Sequence, residues 1–424
     1  MFGSRLLALM GGVVFLLSSA LAAETSCATD DFKIGLPPAA AGQAVSDAGS
    51  LAAALQQAQG GETFLLAPGD YGALNLRKSF QSPVVIRSAN PDKPACFTGL
   101  NLKGSRNVTL EGLYFDYTFR EGDPHFTVPF KVSNSENIKI THSVLDGDYA
   151  YGTNSVIDGK AYGIGLRILE SNNVQVIASD LRKWWAAVLT IRSGGLVFAD
   201  NQIHIIRSDG IDIDAATGLT IASNHFFDFQ RAVGSKDHSD MIQIMRVTPR
   251  GSSDIVIRDN IFDVGRGDYT QTIWAGQDGK DINLPVMRHR NVLVENNMIY
   301  NAHIHGISIH GSDNISIRKN SLIHVPGGHS SPAINISSDS SSVVIEQNVT
   351  SQIIGYEGQR DWVVLNNAIV QSESPSKNGF YDSQFIYYAL GKRQGYNEYG
   401  VRPGSLVDSL KAGSTLAESY PTQK

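Results

Sequence analysis

The apolar positions of this chain come in short bursts. After a turn residue an apolar-x-apolar pair recurs, followed two residues later by a polar position. The pattern reads NVTLEGL from Asn107, NVQVIAS from Asn173, GLTIASN from Gly218, DIVIRDN from Asp254, NISIRKN from Asn314 and DWVVLNN from Asp361. The final position is Leu113, Ser143 and Ser179, then Asn at 201, 224, 260, 297, 320, 348 and 367, with Asn spacings of 23, 36, 37, 23, 28 and 19 residues. Strict alternation over so few residues predicts strands rather than helices. Two-residue hairpin turns are not regularly placed, which argues against a β-sandwich.

One strand-and-turn unit repeated at irregular spacing predicts an all-β solenoid. We expect a right-handed parallel β-helix of about ten to twelve coils, each resting only on its neighbours. Unequal spacing predicts loops of different lengths inserted at a fixed corner. The recurring Asn predicts a stack of side chains that satisfies buried backbone groups at a sharp bend. Residues 60–370 carry the pattern. Ahead of them, Ser46 to Gln59 reads as an amphipathic helix ended by Gly60-Gly61, placed to cover the first coil and its open strand edges. Residues 371–424 lack the pattern and read as a terminal cap and tail, with helix around Ser405 to Ala412.

Residues 1–23 read as an export signal. Arg5 precedes an apolar run from Leu6 to Leu17, and small residues around Ala20 to Ala23 offer cleavage sites. A membrane anchor is the alternative, but the run is short for a span. A periplasmic or secreted protein, monomeric and without a membrane span after signal removal, is the expectation; residues 24–59 then form an N-terminal segment with the capping helix. Cys27 and Cys96 are the only cysteines. In an exported protein they form one disulfide or remain two thiols; they carry no metal signature. The formal net charge is −6, and no block of Lys and Arg is present to track phosphates, which argues against a nucleic-acid partner.

Each coil also carries a second strand before the Asn-bearing one. Aligned on their apolar pairs, these strands present outward residues in rows. One row is Arg167, Thr190, Asp212, Gln243, Trp274, Ser308 and Asn335. The next contains Arg192, Asp214, Met245 and His310. Asp209, Asp240 and His305 stand at the leading corner, with His238 just before Asp240. Like charges stacked on adjacent strands destabilise one another unless something compensates, so Asp209, Asp212, Asp240, His238 and Arg192 form a candidate site. Tyr269 and Trp274 offer a sugar-stacking platform. Asp214 and Asp237, taken singly, read equally well as carboxylates capping turns, and Trp184-Trp185 reads as packing.

The repeat resembles that of the pectin-lyase-like superfamily of parallel β-helices over residues 60–370, and SLAAALQQAQGGETFLLAPGDY resembles the N-terminal cap region of those proteins. The resemblance implies a carbohydrate-active protein whose groove holds an acidic polysaccharide. Asp237-His238-Ser239-Asp240 resembles the Asp-Pro-His-Asp segment of mannuronan C5-epimerases, with Ser239 separating His from the second Asp. Ser208-Asp209-Gly210-Ile211-Asp212 and His305-Gly306-Ile307 resemble segments of polygalacturonases, although Ser239 stands where that family has one of two paired Asp residues.

Three readings stay open. Cleavage or C5-epimerisation of a uronate polysaccharide needs a base, here His238, and an Arg or cation to neutralise the carboxylate. Arg192 or Arg167 can do this, and Asp209, Asp212 and Asp240 can instead hold calcium. Hydrolysis needs two carboxylates, which the same Asp residues can supply. Binding of a glycan without catalysis uses the same groove: Arg167, Gln243, Tyr269, Trp274, His305 and His310 would line it in every case.

Overall fold

The computed structural model describes residues 35–37, 41–245, 248–264, 269–276, 284–325, 330–386 and 399–419. The expected export signal and Cys27 lie outside these residues; Cys96 is engaged in a disulfide. Among the described residues no helix is long and apolar enough to cross a membrane.

Three long sheets of 13, 11 and 12 strands run the length of the molecule, and each turn of the chain adds one strand to each. Every pairing within them is parallel, as Leu219 beside Ile255 and Thr220 beside Val256 illustrate, and the register shifts only between Ser79 and Val84 and between His305 and Ile307. The Asn-bearing strands form the 13-stranded sheet. The second strands predicted for each coil form the 11-stranded sheet, called here the groove sheet. Inward positions are Ile, Leu, Val and Phe stacked on their own kind, as with Ile211, Ile242, Ile273 and Ile307, all buried. One continuous apolar core results. This is the β-helix that the alternation predicts.

Polar columns hold two corners. At the bend after the 13-stranded sheet, the residue preceding each ladder Asn is left-handed: Asp200, Ser223, Asp259, Asn296, Lys319, Gln347 and Asn366 all have φ between 52° and 57°. Each Asn then bonds the next rung. Asn224 Nδ2 donates to Asn260 Oδ1 at 3.0 Å and to the Phe198 carbonyl at 2.9 Å, while Asn260 Oδ1 also accepts the Asn224 main-chain N–H at 2.9 Å. The same contacts continue through Asn297, Asn320, Asn348 and Asn367. These bonds leave few buried polar groups unpaired at a bend where the sheets supply no partner. Serines do similar work at the corner after the groove sheet, where Ser135 Oγ accepts the Ser105 N–H at 3.0 Å and Ser171 Oγ accepts that of Ser135 at 3.1 Å.

Insertions fall at two corners rather than one. Residues 117–129, 147–160 and 230–239 lengthen the turn before the groove sheet, and residues 248–252 and 284–288 belong to longer connections after it. The Asn corner keeps a constant length because its ladder demands a fixed bend. The groove sheet is therefore walled on both sides.

The helix Ala48–Gln57 carries an Asp47–Ser50 capping box and buries Leu51 and Leu55 against the first coil. At the other terminus, Tyr381, Phe385, Tyr399, Val407 and Ala412 pack on the outer face of the 12-stranded sheet, against Met298, Tyr300, Ile323 and Val349. This segment covers a flank of the solenoid, and Val363, Leu365 and Ile369 of the last coil stay exposed.

Candidate functional site on the groove sheet

Strand register fixes which outward side chains are neighbours. Leu189, Asp212, Gln243, Trp274, Ser308 and Asn335 form one continuous row. Arg167 precedes Leu189 in that row, and Lys131 precedes Arg167. Asp209, Asp240, Gln271 and His305 stand at the leading edge of the same strands, with Asp240 directly beside Gln271.

One strand corrects the sequence alignment. In Ala186–Ile191, Val188 pairs with Leu166 and Thr190 with Ile168, so Thr190 faces inward and is fully buried. Aligning the strand on Leu189 and Ile191, the more apolar pair, shifts it by one residue. A one-residue shift exchanges the two faces. Arg192 consequently leaves the outward row. It lies beyond the strand in a left-handed conformation, φ 47°, and pairs with Glu170 at 2.5 Å, both side chains more than 40% exposed. Arg192 is a corner residue and not part of the carboxylate cluster.

The three predicted carboxylates do come together. Asp209 Oδ1 accepts the Asp240 main-chain N–H at 3.1 Å, and Asp209 Oδ2 accepts the Ser208 hydroxyl at 3.1 Å. Asp240 Oδ2 accepts the amide of Gln243 at 3.3 Å. Asp209 and Asp240 are buried, whereas Asp212 is only half-buried. Burial, then the charges of Asp240 and Asp212, raise the Asp209 carboxyl well above the ordinary range, and the hydrogen bonds oppose this only in part. Asp212 is pushed up to about 7, by burial first and Asp214 second. One oxygen of Asp212 has no hydrogen-bond partner among the described residues.

Asp214 and Asp237 turn out to be structural. Asp214 accepts the Thr248 main-chain N–H at 3.1 Å. Asp237 accepts the Trp185 indole N–H at 3.1 Å and pairs with the fully buried Arg207 at 3.2 Å. That pair anchors the insertion 230–239, which carries His238 beside its end. Trp184 is core, and its indole donates to the Leu145 carbonyl at 2.9 Å.

His238 is exposed at the mouth of a depression of about 310 Å³ that Arg231, Tyr269, Gln271 and His303 also line. Arg231 lies 5.7 Å from the Tyr269 ring centroid. Gln271, which the sequence reading passed over, bonds the His305 ring at 2.5 Å. The His303 and His305 rings stand 5.0 Å apart. Burial, and then the neighbouring His305, push His303 down to about 4, and burial also lowers His305, so both rings are neutral near pH 7. Trp274 and His310 close the far end, their rings 6.1 Å apart. Gln271 was readable in the sequence, because it opens the strand QTIWAG at the position that Asp240 holds one coil earlier. Lys131 was readable from Phe-Lys-Val-Ser, an apolar-x-apolar unit ahead of Asn137.

No three of the described His, Cys, Asp and Glu residues are arranged to hold a metal ion.

The chain belongs to the right-handed β-helix family: residues 165–385, more than half of its length, match the family described as Right handed beta helix region. Among solved structures it is similar to an alginate lyase from Paenibacillus sp., with 14% identity over 69% of this chain and 96% of that one, TM-score 0.35. It is similar also to the A-module of a mannuronan C-5 epimerase of Azotobacter vinelandii, with 13% identity, 82% and 98% of the two chains covered, and TM-score 0.38. A surface adhesin of Streptococcus pneumoniae shows 13% identity over 77% and 88% of the two chains, TM-score 0.46. No curated protein matches the chain.

Proposed function

We propose that this protein is an exported enzyme acting on a uronate-containing polysaccharide by abstraction of the C5 proton, as a lyase or C5-epimerase. The observation that carries the reading is Asp212. It projects outward on the open sheet, has one unpartnered oxygen, and has its pKa pushed up to about 7. A carboxylate tuned toward neutrality is an effective general base at the operating pH. Asp212 takes the place that His238 holds in the sequence reading, because His238 stands at the rim and Asp212 stands on the floor.

The Asp212 carboxylate accepts the C5 proton, while the Gln243 amide beside it hydrogen-bonds the uronate carboxylate and stabilises the charge that develops there. In a lyase the electron pair left at C5 forms the C4–C5 double bond, and the bond from C4 to the leaving oxygen breaks. That oxygen then takes a proton from an acid at the rim or from water. In an epimerase a proton returns to C5 on the opposite face. Trp274, next in the row after Gln243, gives an apolar face for a sugar ring.

Hydrolysis is the second reading, favoured by the Asp209–Asp240 contact. Two neighbouring carboxyls, one of them raised toward the protonated form, can supply an acid and a base once substrate opens the site. Incubation with polygalacturonate and alginate separates the two. Ultraviolet absorbance from an unsaturated uronate identifies the lyase, and a change in C5 configuration by NMR identifies the epimerase. New reducing ends without unsaturation overturn the proposal in favour of hydrolysis. Binding with no chemical change in any assay overturns both.

A further inference from the structure

The floor of the groove changes character along its length. On the rungs before Leu189 it carries Arg77, Lys103, Lys131 and Arg167. Lys131 lies directly beside Arg167, and Lys103 beside Ser133, on neighbouring strands of the groove sheet. Arg77 follows the strand Ala73–Leu76, one rung earlier. Between and around them the row presents Asn75 and Asn101, the amide of Asn101 reaching Asn75 at 3.5 Å. Lys103 and Arg77 are exposed, and Lys131 and Arg167 are half-buried.

None of these four side chains takes part in an ion pair or hydrogen bond among the described residues. On other faces five arginines are paired, Arg87 with Glu111, Arg182 with Asp146, Arg207 with Asp237, Arg288 with Asp313 and Arg318 with Glu295, whereas no described acid is paired with any of these four. The protein as a whole is acidic, with a formal net charge of −6. Four unpaired cations on successive rungs of one face repel one another, most strongly at the half-buried Lys131 and Arg167. A ligand with regularly spaced anions relieves that repulsion.

We infer that this strip is an anion track that holds the polysaccharide on one side of the reacting sugar. From the Ala73–Leu76 rung to the Asp212 rung there are five steps in the sheet order. At ~4.8 Å per step the far end of the track lies ~24 Å from the Asp212 rung, roughly the length of four or five sugar units laid along the solenoid axis. The ligand class is a polyuronate chain, because its carboxylates repeat at about the interval of the rungs. The polarity of the groove follows: charge is read on the N-terminal side of Asp212, and ring faces are read on the C-terminal side by Trp274 and Tyr269. The choice of ligand rests on the reading in the preceding section.

The test measures binding in an Asp212→Asn background, where turnover does not intrude, and it stays readable whether or not the protein proves to be a lyase. The probes are polygalacturonate and alginate oligomers from dimers to octamers, with dextran as the neutral control. Affinity for one of the polyuronates should rise with length up to about five units and fall as salt is added. Lys131→Ala with Arg167→Ala should weaken it by about tenfold or more. The charge-retaining pair Lys131→Arg and Arg167→Lys should keep most of it, and Lys139→Ala on the 13-stranded sheet should leave it unchanged. If the double alanine variant proves unfolded by circular dichroism, exposed Lys103→Ala and Arg77→Ala carry the same test. Unchanged affinity in folded charge-deleted variants, equal binding of dextran, or tighter binding of duplex DNA would overturn the inference.

Discussion

The main-chain N–H of Asp240 donates to the carboxylate of Asp209 across one rung, at 3.1 Å. This contact ties two buried acids to the backbone of a single sheet. Burial outweighs the hydrogen bonds, so Asp209 holds its proton far above the ordinary carboxylate range. Asp209→Asn should therefore be tolerated at neutral pH, since an amide resembles the protonated acid and still accepts the Asp240 N–H. Thermal unfolding at pH 7 should show Tm unchanged or raised. A large fall in Tm would mean that Asp209 is ionised in the folded protein.

Asp212 gives stability a definite pH dependence. Its folded pKa is about 7 against an ordinary 3.8, so between those values the folded chain binds more protons than the unfolded one. Stability then falls as pH rises from about 4 through about 7. Asp212→Asn should flatten that part of the curve of Tm against pH, and it should also abolish turnover. A flattened curve with full activity would leave the electrostatics intact and remove Asp212 from the chemistry.

Arg192→Ala should change little. Its pairing with Glu170 is exposed at a corner, where such a bridge contributes about 0–1 kcal/mol. Activity on the best polyuronate should stay within about twofold of the parent. A loss of a hundredfold would return Arg192 to the site.

The ladder predicts a gradient of cost. Asn260→Ala strands the Asn224 N–H inside the solenoid, and an unsatisfied buried donor costs about 1–3 kcal/mol. Asn367→Ala at the last rung removes the same type of bond where its side chain is partly open to solvent. Urea unfolding should show the first variant clearly less stable than the second. Equal losses would mean that solvent does not replace the terminal bond.

The sequence made the solenoid and its Asn ladder legible because both rest on side-chain type at a strict interval, which survives insertions. The Asp209, Asp212 and Asp240 grouping was legible for the same reason: their strands alternate cleanly, with Ile at both inward positions. Ala186–Ile191 was misread because its inward pair is Val188 and Thr190, while Leu189 and Ile191 are outward. Hydrophobicity alone points to the wrong face there. The serine column was hidden because serine is common in any loop and its partner is a backbone N–H on another coil. Long-range anchors such as Arg207 to Asp237 carry no local pattern at all.

The two corners that accept insertions border the groove, while the corner opposite is held to one length by its Asn column. Floor and walls are thus separable in descent. A segment added at either rim alters the width or cover of one coil and leaves the stacking of its neighbours intact. A lineage built on this frame can try a differently shaped cleft without first rebuilding its core, and its diversity should accumulate as loop length beside a steady row of rungs.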